Sequence, residues 1–363
     1  MSTNRRKAYD VLGIMSGTSL DGLDMAACRF YKGGEEWSYK IEDAMTVPYN
    51  REWRKRLESA FFGDAHMLVQ LHAEFGKLIG QQANVFMQSN GFKPQLIASH
   101  GHTVFHDPGK GITHQIGSGA EIAAATGISV VCDFRTTDVA LGGQGAPLVP
   151  VGDTFLFRQY QACLNLGGFS NISFDRNGRR IAFDICPVNI VMNDLAKQLG
   201  HHFDKDGLLA SQGNVVHSLL ESLNALEYYY QPPPKSLGRE WVISQFIPLL
   251  ESEVCSPHDK LRTMIEHIAG QIGQVLQHNH LQAVMITGGG AHNLFLLERI
   301  KLQSQATIIM PDISTIDYKE ALIFAFLGLL RSLGMINCFS TVTGAKRYCS
   351  SGAVYLPPCN VAE

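Results

Sequence analysis

The 363-residue chain contains no Cys-x-x-Cys pair, no block of like charge and no apolar stretch long enough to cross a bilayer. Each absence removes a class of protein. Eight cysteines scattered from Cys28 to Cys359 without paired spacing read as reduced, mostly buried thiols, not as a disulfide framework. A formal net charge of −3 with no basic run beyond Arg5-Arg6-Lys7 offers no grip on a phosphate backbone, so no nucleic-acid partner is expected. The longest apolar run, Ala321 to Leu330, stops at Arg331. That is about half of the ~20 residues a membrane helix needs, so no membrane partner is expected. Near the N-terminus Val11–Met15 is followed at once by Asp21 and Asp24, and a secretory signal needs roughly 7–15 apolar residues. A cytoplasmic protein is expected. There is no low-complexity segment and no long linker.

What remains is an ordinary globular composition, 45% hydrophobic and 17% charged. It can bury large cores, and the length predicts two domains. The pattern along the chain begins with strands over Tyr9–Met15, Leu23–Phe30 and Trp37–Val47. Helical spacing follows near Arg51–Phe62 and over Ala65–Gln88, where Leu68, Leu71, Phe75, Leu78 and Ile79 share a face. Short apolar strands are predicted at Gln95–Ser99 and Ile128–Cys132, with a helix at Ala120–Thr126 between them. The order then restarts: strands over Gln161–Leu166, Asn171–Phe174 and Arg180–Cys186, the last two joined by an Asn177-Gly178 hairpin turn. Pro232-Pro233-Pro234 breaks the helical stretch beyond. Ala283–Thr287 is a strand, Ala291–Ile300 a helix, Thr307–Met310 a strand and Lys319–Leu330 an apolar helix. A duplicated hairpin leading into α/β layers predicts two similar domains facing a cleft. Their expected extents are residues 1–140 with about 340–363, and 141–339.

Three glycine-bearing turns punctuate this order. Gly17-Thr18-Ser19-Leu20-Asp21-Gly22-Leu23-Asp24 joins the first two strands. Its glycines let backbone N–H groups approach phosphate oxygens, and its carboxylates suit a hydrated Mg²⁺ better than a phosphate. No Gly-Lys-Ser/Thr follows, so it is not a Walker loop. Gly167-Gly168 is the counterpart turn in the second half. Gly288-Gly289-Gly290 lies between a strand and a helix, where a flat ligand can lie on bare backbone. Taken singly, each is also explained by an ordinary tight turn. Their order on duplicated hairpins matches the two phosphate positions and the adenosine position of actin-like ATPases and sugar kinases.

Asp184 ends a strand beside the second hairpin, where such a kinase needs a base; a strand-end cap is the plainer explanation of an Asp there. Asp133-Phe134-Arg135-Thr136-Thr137-Asp138 sets an Arg between carboxylates, suited either to a ligand carboxylate or to a salt bridge. Three histidines, His100, His102 and His106, could suggest a metal hydrolase, but no downstream His/Asp complement is evident and polar or structural histidines are preferred. No metal-ligand set is expected.

The chain resembles the anhydro-N-acetylmuramic acid kinase family nearly end to end. The resemblance rests on Gly13–Gly22, His100-Gly101, Asp133-Phe134-Arg135, Gly142–Pro150, Asn165–Gly168, Lys235-Ser236, Gly238-Arg239-Glu240, Gly288–Ala291, Glu320-Ala321 and Val342–Ala345. It implies an α/β fold of two RNase-H-like, actin-like ATPase domains, with mixed sheets flanked by helices and ATP in the cleft between them. It implies ATP with Mg²⁺, a homodimer, and a role in recycling cell-wall amino sugar. The reaction implied opens 1,6-anhydro-N-acetylmuramic acid with water and phosphorylates it to N-acetylmuramic acid 6-phosphate. Residues 17–24, Gly167, Gly168, Gly288, Gly289 and Gly290 would bind the nucleotide, Asp184 would be catalytic, and His100, Arg135, Asp138 and Glu320 would meet the sugar. The chain departs from the family pattern at His102, where relatives carry Gln, at Leu237, where they carry Thr, and in one longer stretch. Where relatives carry Thr-Gly-Pro-Gly-Asn, this chain reads Ile185-Cys186-Pro187-Val188-Asn189, and two lost glycines would limit backbone approach and positive φ. The alternatives are a nucleotide-dependent switch or chaperone-like ATPase on the same fold, or a related kinase for another sugar.

Overall fold

The computed structural model describes residues 7–17 and 20–358. Twelve strands follow in chain order: β1 (Lys7–Ser16), β2 (Gly22–Gly33), β3 (Glu36–Pro48), β4 (Leu96–Asp107), β5 (Ile112–Ile116), β6 (Val130–Cys132), β7 (Ala162–Leu166), β8 (Phe169–Arg176), β9 (Arg179–Pro187), β10 (Ala283–Thr287), β11 (Thr307–Ile309) and β12 (Ala353–Tyr355). The chain divides into two compact units, residues 1–156 with 318–363, and residues 157–317.

The first unit holds a sheet in the order β12-β6-β4-β1-β2-β3, with β5 paired to β4. β1, β2 and β3 form an antiparallel meander, and β4 and β6 run parallel to β1. The second unit repeats the design in the order β11-β10-β7-β8-β9. There β7, β8 and β9 form the meander, and β10 and β11 run parallel to β7. One five-strand order, 3-2-1-4-5 in each unit's own count, therefore occurs twice. It is the RNase-H-like arrangement, and β5 and β12 are additions to the first copy that period-2 reading of the sequence overlooked.

Helices cover these sheets because their apolar residues recur along one face. Ala65–Asn90 starts at Asp64, whose carboxylate accepts the Met67 N–H, and stops at Gly91 in the left-handed region. It buries Leu71, Phe75, Ile79, Ala83 and Phe86 against Leu12, Ile14 and Ile97. Pro257–His278 starts under a Ser256 cap and buries Leu261, Ile265, Ile268 and Ile272 against Leu164, Ile172 and Ile286. Each such aliphatic side chain contributes about 1.5–3 kcal/mol by leaving water. Helix Ile313–Ser332 departs from helical backbone at Tyr318, where the chain enters the first unit. Just beyond, Lys319 pairs with Asp153 at 2.8 Å, both almost wholly buried. No helix among the described residues is long and apolar enough to cross a membrane.

Candidate active site

In the first unit the turn between β1 and β2 is tight. Leu20 sits at φ 58° and its N–H donates to Gly17 O at 3.4 Å. Asp21 is exposed, Leu23 is buried, and Asp24 accepts the Thr46 hydroxyl at 2.6 Å. Thr18 and Ser19 lie outside the described residues.

The histidine segment runs along β4 and contains a bulge. Ile14 pairs with Ser99, whereas Ser16 pairs with His102. Gly101 supplies the kink at φ 73°, in a place where an added Cβ would strike the Ile116 carbonyl. In a regular strand His100 and His102 would share a face; the bulge separates them. His102 turns to the Phe75 side, and its Nδ1 lies 3.1 Å from Ser16 Oγ, which accepts from Tyr49 Oη at 2.7 Å. His100 packs on Phe324, with ring centroids 4.5 Å apart. His100 and His102 therefore do not converge on a common ion.

His100 instead orients Arg135. Its Nδ1 can only donate to Gly101 O, at 2.9 Å, which leaves Nε2 to accept Arg135 Nε–H at 3.0 Å. That requires a neutral ring, and burial together with the Arg135 charge holds the His100 pKa well below the usual imidazole value. Arg135 also donates to Gly145 O at 2.7 Å. Burial lowers its pKa to about 10, so it stays cationic at neutral pH. Glu320 on Ile313–Ser332 is open to solvent, yet the polypeptide around it raises its pKa against the pull of Arg135, with Asp24 adding a further upward push. Thus His100, Arg135, Glu320 and Asp24, far apart in sequence, form one polar array. Asp138 lies beneath it, almost wholly buried. Its Oδ2 accepts Gly145 N–H at 2.8 Å, and its Oδ1 accepts Thr343 Oγ1 at 2.7 Å and Cys338 Sγ at 3.1 Å. It holds the loop that carries Arg135.

In the second unit the other glycine turns meet. Gly288 sits at φ 85°, and a Cβ there would lie 2.6 Å from Asn165 Oδ1 and 3.0 Å from Leu166 O. The Asn189 amide N–H donates to Gly167 O at 3.2 Å, and its side chain donates to Leu166 O at 3.2 Å. Asn189 therefore ties the end of β7 to the start of helix Asn189–Gln198. By contrast, Gly168 and Gly289 are exposed, neither has positive φ, and a Cβ on either would approach nothing closer than 3.6 Å. Neither packing nor backbone geometry demands glycine there. Beside them Thr287 Oγ1 is buried without a hydrogen-bond partner among the described residues. Bare exposed backbone next to an unsatisfied hydroxyl fits a bound polar ligand such as a nucleotide.

Asp184 stands next to a second bulge: Asn171 pairs with Asp184 and Ser170 with Cys186, leaving Ile185 unpaired. A segment around the proline break, read from sequence only as that break and as the Lys235-Ser236 motif of the family, fixes this carboxylate. Leu237 N–H donates to Asp184 Oδ2 at 2.9 Å, Asp184 N–H donates to Lys235 O at 3.2 Å, and Tyr228 Oη donates to Asp184 O at 2.6 Å. Lys235 Nζ closes the strap on Tyr228 O at 3.0 Å. Burial raises the Asp184 pKa to about 6, against the lowering effect of the Leu237 N–H. The Tyr228-Tyr229-Tyr230 run before the prolines was the available signal for this strap. The residues that replace the family's Thr and two glycines face inward: Ile185, Cys186 and Val188 are all part of the buried core of the unit. Neither Cys186 nor Val188 adopts positive φ.

Two mixed α/β sheets with one strand order and glycine turns at equivalent strand ends define an actin-like ATPase fold, the class to which sugar kinases also belong. Comparison with known sequences narrows this. The family model described as anhydro-N-acetylmuramic acid kinase matches residues 9–357. Relatives of that name from Vibrio cholerae and Pseudomonas fluorescens are 34% and 35% identical over 369 and 371 residues, each alignment covering 95% of this chain and 98% of the relative. A relative from Gloeobacter violaceus is 35% identical over 370 residues with the same coverage. The chain belongs to the anhydro-N-acetylmuramic acid kinase family. Among solved structures, a ROK hexokinase from Thermus thermophilus aligns with 88% of this chain and 99% of its own at 13% identity, with a TM-score of 0.37. At that score the fold assignment rests on the strand order itself.

Proposed function

We propose that the chain is an ATP-dependent kinase that opens 1,6-anhydro-N-acetylmuramic acid with water and phosphorylates the released 6-oxygen. One observation carries this reading beyond family membership. The carboxylate at the position expected for the base is held by a dedicated strap and has its pKa raised to about 6. A base poised near the working pH combines the right protonation state with a useful affinity for the proton. Asp184 accepts a proton from the attacking water as its oxygen bonds to the anomeric carbon. The bridge C–O bond breaks, and the freed 6-oxygen takes the γ-phosphoryl group of ATP, leaving ADP. Positioning and charge neutralisation supply the rest of the rate.

The other roles follow from the two clusters. Gly167, Gly168, Gly288, Gly289 and Gly290 are assigned to the nucleotide, as is the Gly17–Asp24 turn. Mg²⁺ would accompany the phosphates, and Asp21 and Asp24 offer the hard oxygen donors it prefers. Arg135, oriented by neutral His100, is assigned to the sugar carboxylate, and Glu320 to its hydroxyl or water contacts. Asp138 keeps the Arg135 loop in place. The inward-facing Ile185, Cys186 and Val188 are compatible with the same sugar as in relatives, because all three side chains are buried in the core of the unit. The protein acts as a cytoplasmic homodimer in this reading. Incubation with Mg-ATP and the anhydro-sugar tests it: the expected product is heavier by one phosphoryl group and one water. Phosphate transfer without water uptake, or no sugar-dependent ADP release, overturns it.

A further inference from the structure

Independently of the kinase reading, we propose that Cys338, Cys349 and Asp138 form a site for one soft divalent cation, Zn²⁺ in the first instance. Their donor atoms lie within 4.8 Å of one another, the one such group of three among the described residues. Zinc bonds of about 2.3 Å to sulfur and about 2.0–2.2 Å to oxygen at tetrahedral angles set donors roughly 3.5–3.8 Å apart. The trio needs only a small contraction to reach that spacing.

The backbone already presents the two thiols as a pair. Cys338 and Cys349 form an antiparallel bridge in which each N–H donates to the other's carbonyl, at 3.1 and 3.2 Å. Cys338 Sγ–H already points at Asp138 Oδ1 at 3.1 Å, so an ion would take the place of a proton. The carboxylate is oriented from behind by Gly145 N–H and Thr343 Oγ1, the outer-shell support that metal ligands use. Cys349 is only half-buried, which leaves an entry path and room for a water as fourth ligand. Two thiolates and one carboxylate around Zn²⁺ leave one negative charge, and Arg135 lies close enough to interact with Cys338 electrostatically. Binding releases the two thiol protons to solvent and moves no electrons. It would join three segments of the first unit and stiffen the loop that holds Arg135.

The test uses the full chain, reduced and freed of metal by a chelator, then titrated with Zn²⁺ alone. The expected result is one ion bound per chain, release of about two protons, and shielding of Cys338 and Cys349 from alkylation. Co²⁺ in its place should give thiolate-to-cobalt charge-transfer absorption. Cys338→Ser and Cys349→Ser should each weaken binding by at least on the order of 100-fold, since losses in the outer shell alone cost 10–100-fold. Metal-free melting curves matching wild type would show that the serine variants fold. Should they fail to fold, alkylation mapping on the wild-type chain decides. No uptake, uptake unchanged in both variants, shielding of other cysteines, or a Cys338–Cys349 disulfide that binds no Zn²⁺ after reduction overturns the proposal.

Discussion

Replacing Asp184 with Asn should make the protein more stable at alkaline pH while removing its activity. The sign follows from the direction of the pKa shift. The carboxyl pKa is near 3.8 in the unfolded chain and about 6 in the folded one, so the folded state holds the proton more tightly. Above pH 6 both states are ionised, and the folded state carries the cost of an ionised carboxylate in a desolvated place. A gap of about two pH units corresponds to about 3 kcal/mol. Partial solvent access reduces this to roughly 1.5–3 kcal/mol. Asn removes the charge, and its side-chain oxygen can still accept the Leu237 N–H. The second unit should therefore unfold about 3–12 °C higher at pH 8, taking about 2–4 °C per kcal/mol for a unit of this size. As pH falls through 6 towards 4 the wild-type carboxyl protonates, the penalty disappears and the two curves converge. Calorimetric melts of both proteins from pH 4 to pH 8 measure this directly. Equal stability at pH 8, or an Asn variant that is less stable there, would refute the claim that Asp184 is ionised in a desolvated setting.

Three other outcomes are expected. The wild-type pH–rate profile should show an acid limb centred near the Asp184 value of about 6, with activity falling about tenfold per pH unit below it, because only the ionised carboxylate accepts a proton; a flat profile between pH 5 and 8 would remove Asp184 as the base. Asp153→Asn should destabilise the first unit by about 1–3 kcal/mol, since it removes the carboxylate that the buried Lys319 ammonium meets at 2.8 Å, and denaturant melts would register it. Cys186→Gly should lower stability by about 1–3 kcal/mol and fail to raise turnover, because the position is buried and needs no positive φ; a more active variant would mean that the missing glycine limits this branch of the family.

The duplicated meander was legible because it is written in local patterns: alternating strands, the Asn177-Gly178 hairpin and the glycine turns at strand ends. β5 and β12 were not legible. β5 pairs with β4 only after the Gly101 bulge turns it, and β12 is a three-residue strand whose partner β6 lies more than two hundred residues away. The extension of β4 through the histidines was missed for a related reason, since a histidine-rich stretch lacks the apolar alternation that marks a strand. At the candidate site, residue types pointed to Asp184 and Arg135, and the family resemblance pointed to His100 and Glu320. Three-dimensional placement added what type and spacing cannot carry: the split of His100 from His102, the burial of Asp138 beneath the Arg135 loop, and the strap from Tyr228 to Leu237 over Asp184. Two of the bonds that hold the strap come from backbone N–H groups, of Leu237 and of Asp184 itself, and backbone groups leave no trace in side-chain identity.

The most direct test of the central claim is single-turnover phosphorylation of the anhydro-sugar by wild type and by Asp184→Asn, with binding of an ATP analogue measured on the same samples. A loss of roughly 10²–10⁴-fold in the chemical step, with nucleotide binding nearly unchanged, is the predicted result. Turnover close to wild type in the variant would contradict it.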